Sequence, residues 1–271
     1  MIHPTAVVAP GARLGANVRI GPFAIVGPDV ILGDDVEVAG HAVLEGRVVL
    51  GPRVRIGHGA VLGVEPQDLK FKRETPTGVR VGAGTVIREY VTIHRATQPE
   101  GWTEIGERSI LMATAHVAHD CRIGDDVVVI NYAGITGHCE IGDRATVGGL
   151  VGMVPFTRVG TFAYIGGCSK VNRDVPPFMI VDGNLATVRG VNVVGLRRAG
   201  VGPAERRALR DAHRLLYRSG LAPGAALERL RREGAATPQV KELIAFIESA
   251  KRGVLGPAGA AASDDESGDV F

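Results

Sequence analysis

Aromatic residues are scarce in this sequence, and it has neither a long apolar run nor a strong excess of charge. Phenylalanine, tyrosine and tryptophan make up 4% of its 271 residues, whereas glycine accounts for 38 of them. No run approaches the roughly 18 apolar residues that a membrane-spanning helix needs, and the N-terminal residues MIHPTAVV lack the pattern of a secretory signal. We therefore expect a cytoplasmic protein whose core consists of small and branched aliphatic side chains closed by many turns.

The charge balance and the cysteines exclude further classes. The 31 basic and 29 acidic residues leave a net charge of only +2, so overall electrostatics do not predict binding to nucleic acid or to a membrane surface. The three cysteines, Cys121, Cys139 and Cys168, are odd in number and lack a metal-type C-x-x-C spacing. This pattern indicates a reducing compartment rather than a disulfide framework.

A six-residue repeat organises most of the chain. An aliphatic residue opens every hexad from Ile2 to Leu62 without a slip, and the register resumes at Val81 and again at Ile105, from which it continues to Val171. The second position is usually glycine and the fifth is small or β-branched. Such a period fits a short strand followed by a turn, with glycine expected where the turn needs a positive φ.

Three hexads, or about 18 residues, would make one triangular coil whose first and fifth positions point inward. The repeat therefore predicts a mainly β protein, a parallel β-helix of stacked coils. Cys121 and Cys139 both occupy a fifth position one coil apart, so we expect them to stack in the core as small apolar fillers.

The interruptions of the repeat predict the domain organisation. We expect a β-helix over residues 1–190, with surface loops at 64–80 and 96–104, and a C-terminal helical domain over 191–255. The acidic segment 256–271 is expected to be disordered. Prolines and glycines delimit three predicted helices, at 203–219, 223–233 and 238–252.

Stacking of the coils brings histidines together. Gly137 follows His119 by one coil, so it should lie directly above it, with His138 beside it and His116 half a strand away. Imidazole groups next to a free backbone N–H suit general-base catalysis with stabilisation of an oxyanion. Asp120 could fix the tautomer of His119 or support its imidazolium, and a ridge of exposed histidines is the alternative interpretation.

Several segments resemble those of the bacterial acyl-carrier-protein-dependent UDP-N-acetylglucosamine O-acyltransferases. The hexads are common to many acyltransferases, but QDLK together with AHVAHDC is much more specific, and the resemblance extends from residue 1 to about residue 252. The matching segments are QDLK (67–70), VTIHR (91–95), AHVAHDC (115–121), GH (137–138), GGCS (166–169), DVPPF (174–178), GVN (190–192) and LYRSG (216–220).

This resemblance implies a left-handed parallel β-helix, a homotrimer with active sites at subunit boundaries, and no metal or other cofactor. It implies that His119 takes the proton from the sugar 3-hydroxyl, that Asp120 supports His119, and that the Gly137 N–H stabilises the oxyanion. The acyl donor would be the phosphopantetheine thioester of acyl carrier protein, and the reaction would be the first step of lipid A synthesis. The implied substrate-binding residues are Gln67, Asp68, Lys70, His94, His116, His138, Phe156, Asn192 and Arg198. The end of the acyl chain is expected near Tyr164 and Gly167, although Tyr164 could equally face solvent.

The sequence departs from the family pattern on the nucleotide-sugar side. Val154 and Pro155 replace a His-Gln pair, and Leu185, Val194 and Ala199 replace a histidine, an acidic residue and an arginine. These departures leave the acceptor open between UDP-N-acetylglucosamine and a variant sugar such as its 3-amino analogue, which would give an amide.

The C-terminal helices carry many arginines, which predict either a docking surface for the acidic carrier protein or an ordinary solvated face. They are Arg197, Arg198, Arg206, Arg207, Arg210, Arg214 and Arg218. These arginines and the 67–70 loop disfavour a coenzyme-A-dependent acetyltransferase and an N-acyltransferase acting on an acylated sugar. Two other classes remain, a trimeric metalloenzyme of the γ-carbonic-anhydrase kind, indicated only by the His116-x-x-His119 spacing, and a non-catalytic solenoid.

Overall fold

The computed structural model describes residues 1–233 and 237–257. Of the acidic segment predicted to be disordered, Gly256 and Pro257 are described: the Val188 N–H donates to the Gly256 carbonyl at 2.8 Å, and Val188 forms a β-bridge with Pro257. The rest of that prediction, 258–271, lies outside the described residues.

Short strands form three sheets, numbered here by their first strand. Sheet 1 contains β1 (Val7–Val8), β4 (Ile25–Val26), β7 (Val43–Leu44), β10 (Val61–Leu62), β13 (Thr92–Ile93), β16 (His116–Val117), β19 (Gly134–Ile135), β22 (Gly152–Met153) and β25 (Lys170–Val171). Sheet 2 contains β2 (Arg13–Leu14), β5 (Ile31–Leu32), β8 (Arg47–Leu50), β11 (Gly78–Val81), β14 (Trp102–Ile105), β17 (Arg122–Ile123), β20 (Glu140–Ile141) and β23 (Arg158–Val159). Sheet 3 contains β3 (Arg19–Ile20), β6 (Glu37–Val38), β9 (Arg55–Ile56), β12 (Val86–Ile87), β15 (Ile110–Leu111), β18 (Val128–Val129), β21 (Thr146–Val147), β24 (Tyr164–Ile165), β26 (Met179–Asp182) and β27 (Thr187–Val191).

From β1 to β25, consecutive strands belong to different sheets, so the chain winds around a common axis as a β-helix. From β1 to β22, each strand pairs in parallel with the strand three places later, as Val7 does with Ile25 and Gly134 does with Gly152, and β24 pairs in parallel with β26. The one antiparallel pair among the described strands is β26 with β27. The hexads therefore form coils in the register that their spacing predicts.

The core is a column of aliphatic side chains, and it includes two of the cysteines. Cys121 and Cys139 are fully buried, with no exposed surface, whereas Cys168 is exposed, and all three are free thiols. The Cys121 thiol donates to the carbonyl of Thr136 at 3.0 Å. The prediction that Cys121 and Cys139 fill the core is confirmed.

The expectation about glycine is wrong at most turns. The positive-φ position is usually a non-glycine residue, such as Asn17, Asp126 or Arg144. Glycine occupies the preceding part of the turn for another reason, since a Cβ on Gly33 would lie 2.8 Å from the backbone nitrogen of Pro52 in the next coil. Close approach of successive coils, and not backbone conformation, selects glycine there.

Helices follow the coils. They are α1 (Val193–Arg198), α2 (Pro203–Arg218), α3 (Pro223–Glu233) and α4 (Pro238–Glu248). The three predicted helices are present and begin at the predicted prolines, but the third ends at Glu248 rather than at residue 252, and α1 was not predicted. Buried Leu209, Leu230 and Leu243 join these helices to the core. None of the described helices is long and apolar enough to cross a membrane.

Both long insertions emerge at one edge of the β-helix. Residues 63–77 connect β10 to β11, and residues 94–101 connect β13 to β14, so each passes from sheet 1 to sheet 2. The turns 118–121 and 136–139 make the same passage one and two coils further along. We call this row of turns the 1–2 edge.

Candidate active site

His119 and Asp120 form a hydrogen-bonded pair in the turn between β16 and β17. The distance from His119 Nδ1 to Asp120 Oδ2 is 2.7 Å, and the two side chains are 14% and 12% exposed. Asp120 has a φ of 58°, a conformation that aspartate tolerates better than most residues. Its N–H donates to Thr103 Oγ1 at 2.9 Å, which holds the turn against β14.

Hydrogen bonds keep Asp120 ionised. Burial raises the pKa of this carboxyl, but hydrogen bonds from His119 and Thr97 outweigh burial and bring the pKa below its ordinary value. An ionised carboxylate can only accept, so His119 must donate from Nδ1. In the neutral ring, Nε2 is then left with a free lone pair, which is the state that a general base requires.

Gly137 lies directly against the His119 ring. A Cβ at this position would lie 2.6 Å from Cε1 and 2.8 Å from Nε2 of His119, so only glycine fits without displacing the ring. The predicted stacking of these two residues is present in the structure.

Among the described residues, an N–H at the third position of a hexad is commonly unpaired, as at His119, Asp143 and Gly149, unless an aspartate lies one coil above. At the same turn position elsewhere, the N–H of Ala16, Glu107 or Asp125 donates to an aspartate carboxylate of the next coil at 2.7–2.9 Å. One coil above Gly137 the residue is Pro155, which has no carboxylate. The Gly137 N–H therefore has no acceptor among the described residues.

His138 continues the site on the far side of His119. Its ring makes an edge contact with His119 at 5.1 Å and stacks on Phe156 at 4.5 Å with an interplanar angle of 2°. His138 Nε2 is 3.7 Å from Asp120 Oδ2. Burial lowers the pKa of His138 more than the neighbouring Asp120 raises it, so this ring is neutral at physiological pH.

His116 and His94 extend the cluster in the other direction. Thr92 Oγ1 and His116 Nδ1 are 2.7 Å apart, and the rings of His94 and His116 make an edge contact at 4.8 Å. His94 is 6% exposed, and its Nδ1 has no hydrogen-bond partner among the described residues. Burial, with the charges of His116 and His119, lowers the pKa of His94 to about 4.

The neutral His94 makes a testable contribution to stability. Its pKa is about 4 in the folded protein and 6.5 as the ordinary value, so between these limits the unfolded chain binds more protons. The free energy of unfolding should therefore fall as pH decreases from about 6.5 to 4. We expect His94→Asn to have a flatter dependence of Tm on pH over this range than the parent protein, and parallel curves would contradict the burial of a neutral histidine.

The first insertion brings part of the QDLK segment to the site. Asp68 accepts from the backbone N–H of Lys70 at 2.8 Å, and its charge raises the pKa of His138 against the larger effect of burial. Gln67 and Lys70 are exposed and have no described contact with the histidines. Arg95 binds this insertion to the β-helix. Its side chain is 14% exposed, and its Nη2 donates to the Arg73 carbonyl at 3.0 Å.

Four predicted residues lie away from the 1–2 edge of the same chain. Asn192 caps α1, accepting from Gly195 N at 3.0 Å and donating to the Phe162 carbonyl at 2.9 Å, and Arg198 is exposed at the end of α1. Tyr164 lies on β24 in sheet 3, and Gly167 lies in the turn from sheet 3 to sheet 1.

Thr97 is part of the site and was missed by the sequence analysis. Its backbone N–H is 3.1 Å and 3.3 Å from the two carboxylate oxygens of Asp120, and its hydroxyl donates to Oδ2 at 2.7 Å. The only available signal was the position of Thr97 inside the second insertion.

One group of described residues has the spacing of a metal site. Ligand atoms of His119, Asp120 and His138 lie within 4.8 Å of one another. His116 is not part of this group, so the His116-x-x-His119 spacing, which had indicated a metalloenzyme, does not build it. The carboxylate of Asp120 is instead used by His119 and Thr97.

Sequence families and solved structures identify the relatives of this chain. Residues 174–255 match the family described as Udp N-acetylglucosamine O-acyltransferase, Domain 2, and residues 11–46 match the bacterial transferase hexapeptide family. The acyl-[acyl-carrier-protein]–UDP-N-acetylglucosamine O-acyltransferase of Burkholderia multivorans is 49% identical over 259 residues, 94% of this chain and 98% of the relative. The corresponding protein of Paraburkholderia xenovorans is 47% identical over the same shares of both chains.

Solved structures agree with this likeness. The UDP-N-acetylglucosamine acyltransferase of Francisella novicida superposes with a TM-score of 0.92 at 33% identity, covering 96% of this chain and 95% of its own. LpxA from Acinetobacter baumannii gives 0.89 at 36% identity, covering 94% and 99%. The expected fold class, a left-handed parallel β-helix followed by a small helical domain, is confirmed. On this identity and coverage, the chain belongs to the family of the acyl-carrier-protein-dependent UDP-N-acetylglucosamine O-acyltransferases.

Proposed function

We propose that this protein transfers a (3-hydroxy)acyl chain from acyl carrier protein to the 3-hydroxyl of UDP-N-acetylglucosamine, the first step of lipid A biosynthesis, in the cytoplasm. The observation that carries the proposal is the packing of Gly137, whose N–H is unpaired among the described residues, against the His119 ring: a Cβ on Gly137 would lie 2.8 Å from His119 Nε2. The names of the relatives, which cover nearly the whole chain, support the choice of donor and acceptor.

The geometry supports a direct transfer. His119 Nε2 takes the proton of the sugar hydroxyl as its oxygen attacks the thioester carbonyl carbon. The resulting oxyanion accepts a hydrogen bond from the Gly137 N–H, and ionised Asp120 stabilises the imidazolium. When the tetrahedral intermediate collapses, the C–S bond breaks and His119 returns the proton to the leaving pantetheine thiolate. A general base contributes roughly two to four decades in rate and one oxyanion donor roughly two to three.

The neutral histidines would bind the uncharged sugar. His94, His116 and His138 lie along the same edge as His119 and have lowered pKa values. Neutral imidazoles offer one donor and one acceptor each, which suits sugar hydroxyls and the acetamido group. We assign Asp68, Lys70, Gln67 and Phe156 to the rim of this pocket.

A homotrimer would complete the site. Asn192, Arg198, Tyr164 and Gly167 lie on other parts of the chain surface, so they can reach His119 only from a neighbouring subunit. Large apolar residues along the turns from sheet 3 to sheet 1 support a buried contact there, since each is 55–63% exposed: Phe23, Tyr90, Tyr132 and Leu150. Light scattering should give a mass three times the 28.4 kDa of the chain.

The arginines of α1 and α2 are placed to receive the acidic carrier protein. Arg197, Arg198, Arg207, Arg210 and Arg218 are exposed and without a described ion pair. We expect Arg207→Glu with Arg210→Glu to raise the KM for acyl carrier protein thioester about tenfold or more at low salt, with less effect at high salt. Activity with a short pantetheine thioester should not change. Arg13→Glu with Arg53→Glu, which changes two exposed arginines of the β-helix, is the control, and equal effects of the two pairs would argue against docking on α2.

Val154 and Pro155 bear on the identity of the acceptor sugar. Pro155 lies one coil above Gly137, and its carbonyl accepts from Arg252 at 2.7 Å. Val154 and Pro155 therefore occupy the part of the turn row nearest the reacting groups. An apolar pair there would contact the sugar or its phosphates without hydrogen bonding to them.

The test is transfer from a panel of acyl carrier protein thioesters of different chain length to UDP-N-acetylglucosamine and to its 3-amino analogue. Ester formation on the first acceptor is the expected result. Amide formation on the second alone would retain the reaction class and correct the acceptor. No transfer to either acceptor with any donor would refute the proposed function.

A further inference from the structure

Thr97 of the second insertion, residues 94–101, contacts the turn that carries His119 and Asp120. The Thr97 hydroxyl donates to Asp120 Oδ2 at 2.7 Å, and the Thr97 backbone N–H donates to Asp120 Oδ1 at 3.1 Å. Asp120 Oδ2 therefore accepts from both Thr97 Oγ1 and His119 Nδ1. Apart from His119 and Thr97, no side chain among the described residues hydrogen-bonds to this carboxylate.

The segment that carries Thr97 is anchored on both sides. Ala96 is fully buried, and the Arg95 N–H donates to the Val64 carbonyl at 3.1 Å. Beyond Thr97, the Gly101 N–H donates to the Gln98 carbonyl at 2.7 Å and the Glu100 N–H donates to the Pro76 carbonyl at 2.8 Å. Thr97 is thus held in position by the backbone rather than placed by a freely moving loop.

Asp120 has a second potential partner, which gives Thr97 a specific task. His138 Nε2 is 3.7 Å from Asp120 Oδ2, whereas His119 Nδ1 is 2.7 Å from the same oxygen. A small rotation of the carboxylate would exchange His119 for His138. Pairing with His138 would leave the tautomer of His119 unspecified, and Nε2 would then carry the proton in part of the molecules.

We propose that Thr97 is a positioning residue that directs Asp120 toward His119 and away from His138. The inference rests on the proposed acyl transfer. The hydroxyl and the N–H of Thr97 fix the plane of the Asp120 carboxylate. His119 is thereby held with Nδ1 protonated and Nε2 facing Gly137. The second insertion therefore serves the base itself and is more than a cover for the site.

The first experiment compares Thr97→Val, which removes the hydroxyl and keeps the shape, with Thr97→Ser, which retains it. Loss of a hydrogen bond to a charged group corresponds to roughly a 10- to 100-fold effect, so we expect kcat of Thr97→Val to fall by about that factor. The KM values of both substrates should stay within about twofold, and Thr97→Ser should recover most of kcat. Thr85→Val is the control at a different edge of the coil, where Thr85 Oγ1 donates to the Gly106 carbonyl at 2.7 Å and accepts from the Ser109 N–H at 3.1 Å.

The second experiment is a double-mutant cycle with Asp120→Asn. If Thr97 acts through Asp120, replacing it should change kcat little once the carboxylate has been removed. If its role is merely structural, the replacement should lower kcat by the same factor in the parent protein and in Asp120→Asn. We expect Thr97→Val to lower kcat of Asp120→Asn by less than about threefold.

The outcomes separate this inference from the proposed function. Absence of transfer by the parent protein would remove the proposed function itself. Active parent protein with an unchanged kcat in Thr97→Val, or with an equal loss in both backgrounds, would overturn the role of Thr97. A drop in Tm for Thr97→Val beyond that of Thr85→Val, without rescue by serine, would likewise assign Thr97 to stability alone.

Discussion

Replacing His119 with alanine should lower kcat for acyl transfer by roughly two to four decades, the usual contribution of a general base. The residual rate would come from the Gly137 N–H and from substrate binding, which the substitution leaves in place. The KM for the nucleotide sugar should change little, because the proposed base acts on the transition state more than on the bound substrate. Initial rates at saturating donor and acceptor measure the effect.

The matched control for this variant is His116→Ala in the same cluster. His116 Nδ1 is 2.7 Å from the Thr92 hydroxyl, and in the next coil His116 pairs with Gly134 and not with Gly137, so its loss should affect KM more than kcat. Equal losses of kcat in the two variants would mean that the base had been assigned to the wrong histidine. Full activity of His119→Ala would leave a ridge of exposed histidines as the better interpretation.

Much of the β-helix could be predicted from the hexads, because a parallel register converts sequence spacing into contact. Two residues one coil apart must meet, as Gly137 and His119 do. That rule also placed His138 beside them and the two buried cysteines in the core. It needed no knowledge of side-chain conformation, since the strand ladder alone imposes it.

The same rule does not predict what the insertions do. Thr97 lies 23 residues from Asp120 in sequence, a separation that matches no multiple of the coil. Its contact depends on the path of residues 94–101, which is set by backbone hydrogen bonds to the first insertion. Nothing in a local pattern encodes such a path.

The sequence repeat also could not predict why glycine occurs at the turns. Sequence periodicity shows where glycine recurs but not whether conformation or space requires it. At Gly33 the backbone of the next coil is the cause, and at Gly137 it is a side chain, the ring of His119. At both Gly33 and Gly137, therefore, a neighbouring group leaves no room for a Cβ, although only Gly137 lies in the catalytic site.

Gly137→Ala should be nearly as damaging to catalysis as loss of the base, and for a purely steric reason. Gly137 does not have the positive φ that an alanine would find strained, so its backbone can accept the new residue. The added Cβ would lie 2.6 Å from Cε1 and 2.8 Å from Nε2 of His119, well inside contact distance. The ring must turn away, which breaks its alignment with Asp120 and fills the space where the reacting oxygen would bind.

Alanine keeps the backbone N–H, so the expected loss is that of the displaced base, roughly two decades or more in kcat, while Tm falls by only a few degrees. Gly152→Ala, in β22 of sheet 1, is the control, because a Cβ there meets no atom within 4 Å. It should retain both activity and Tm. If Gly137→Ala kept its kcat within about threefold of the parent protein, the space above His119 Nε2 could not be where the thioester is attacked, because a methyl group would already occupy it.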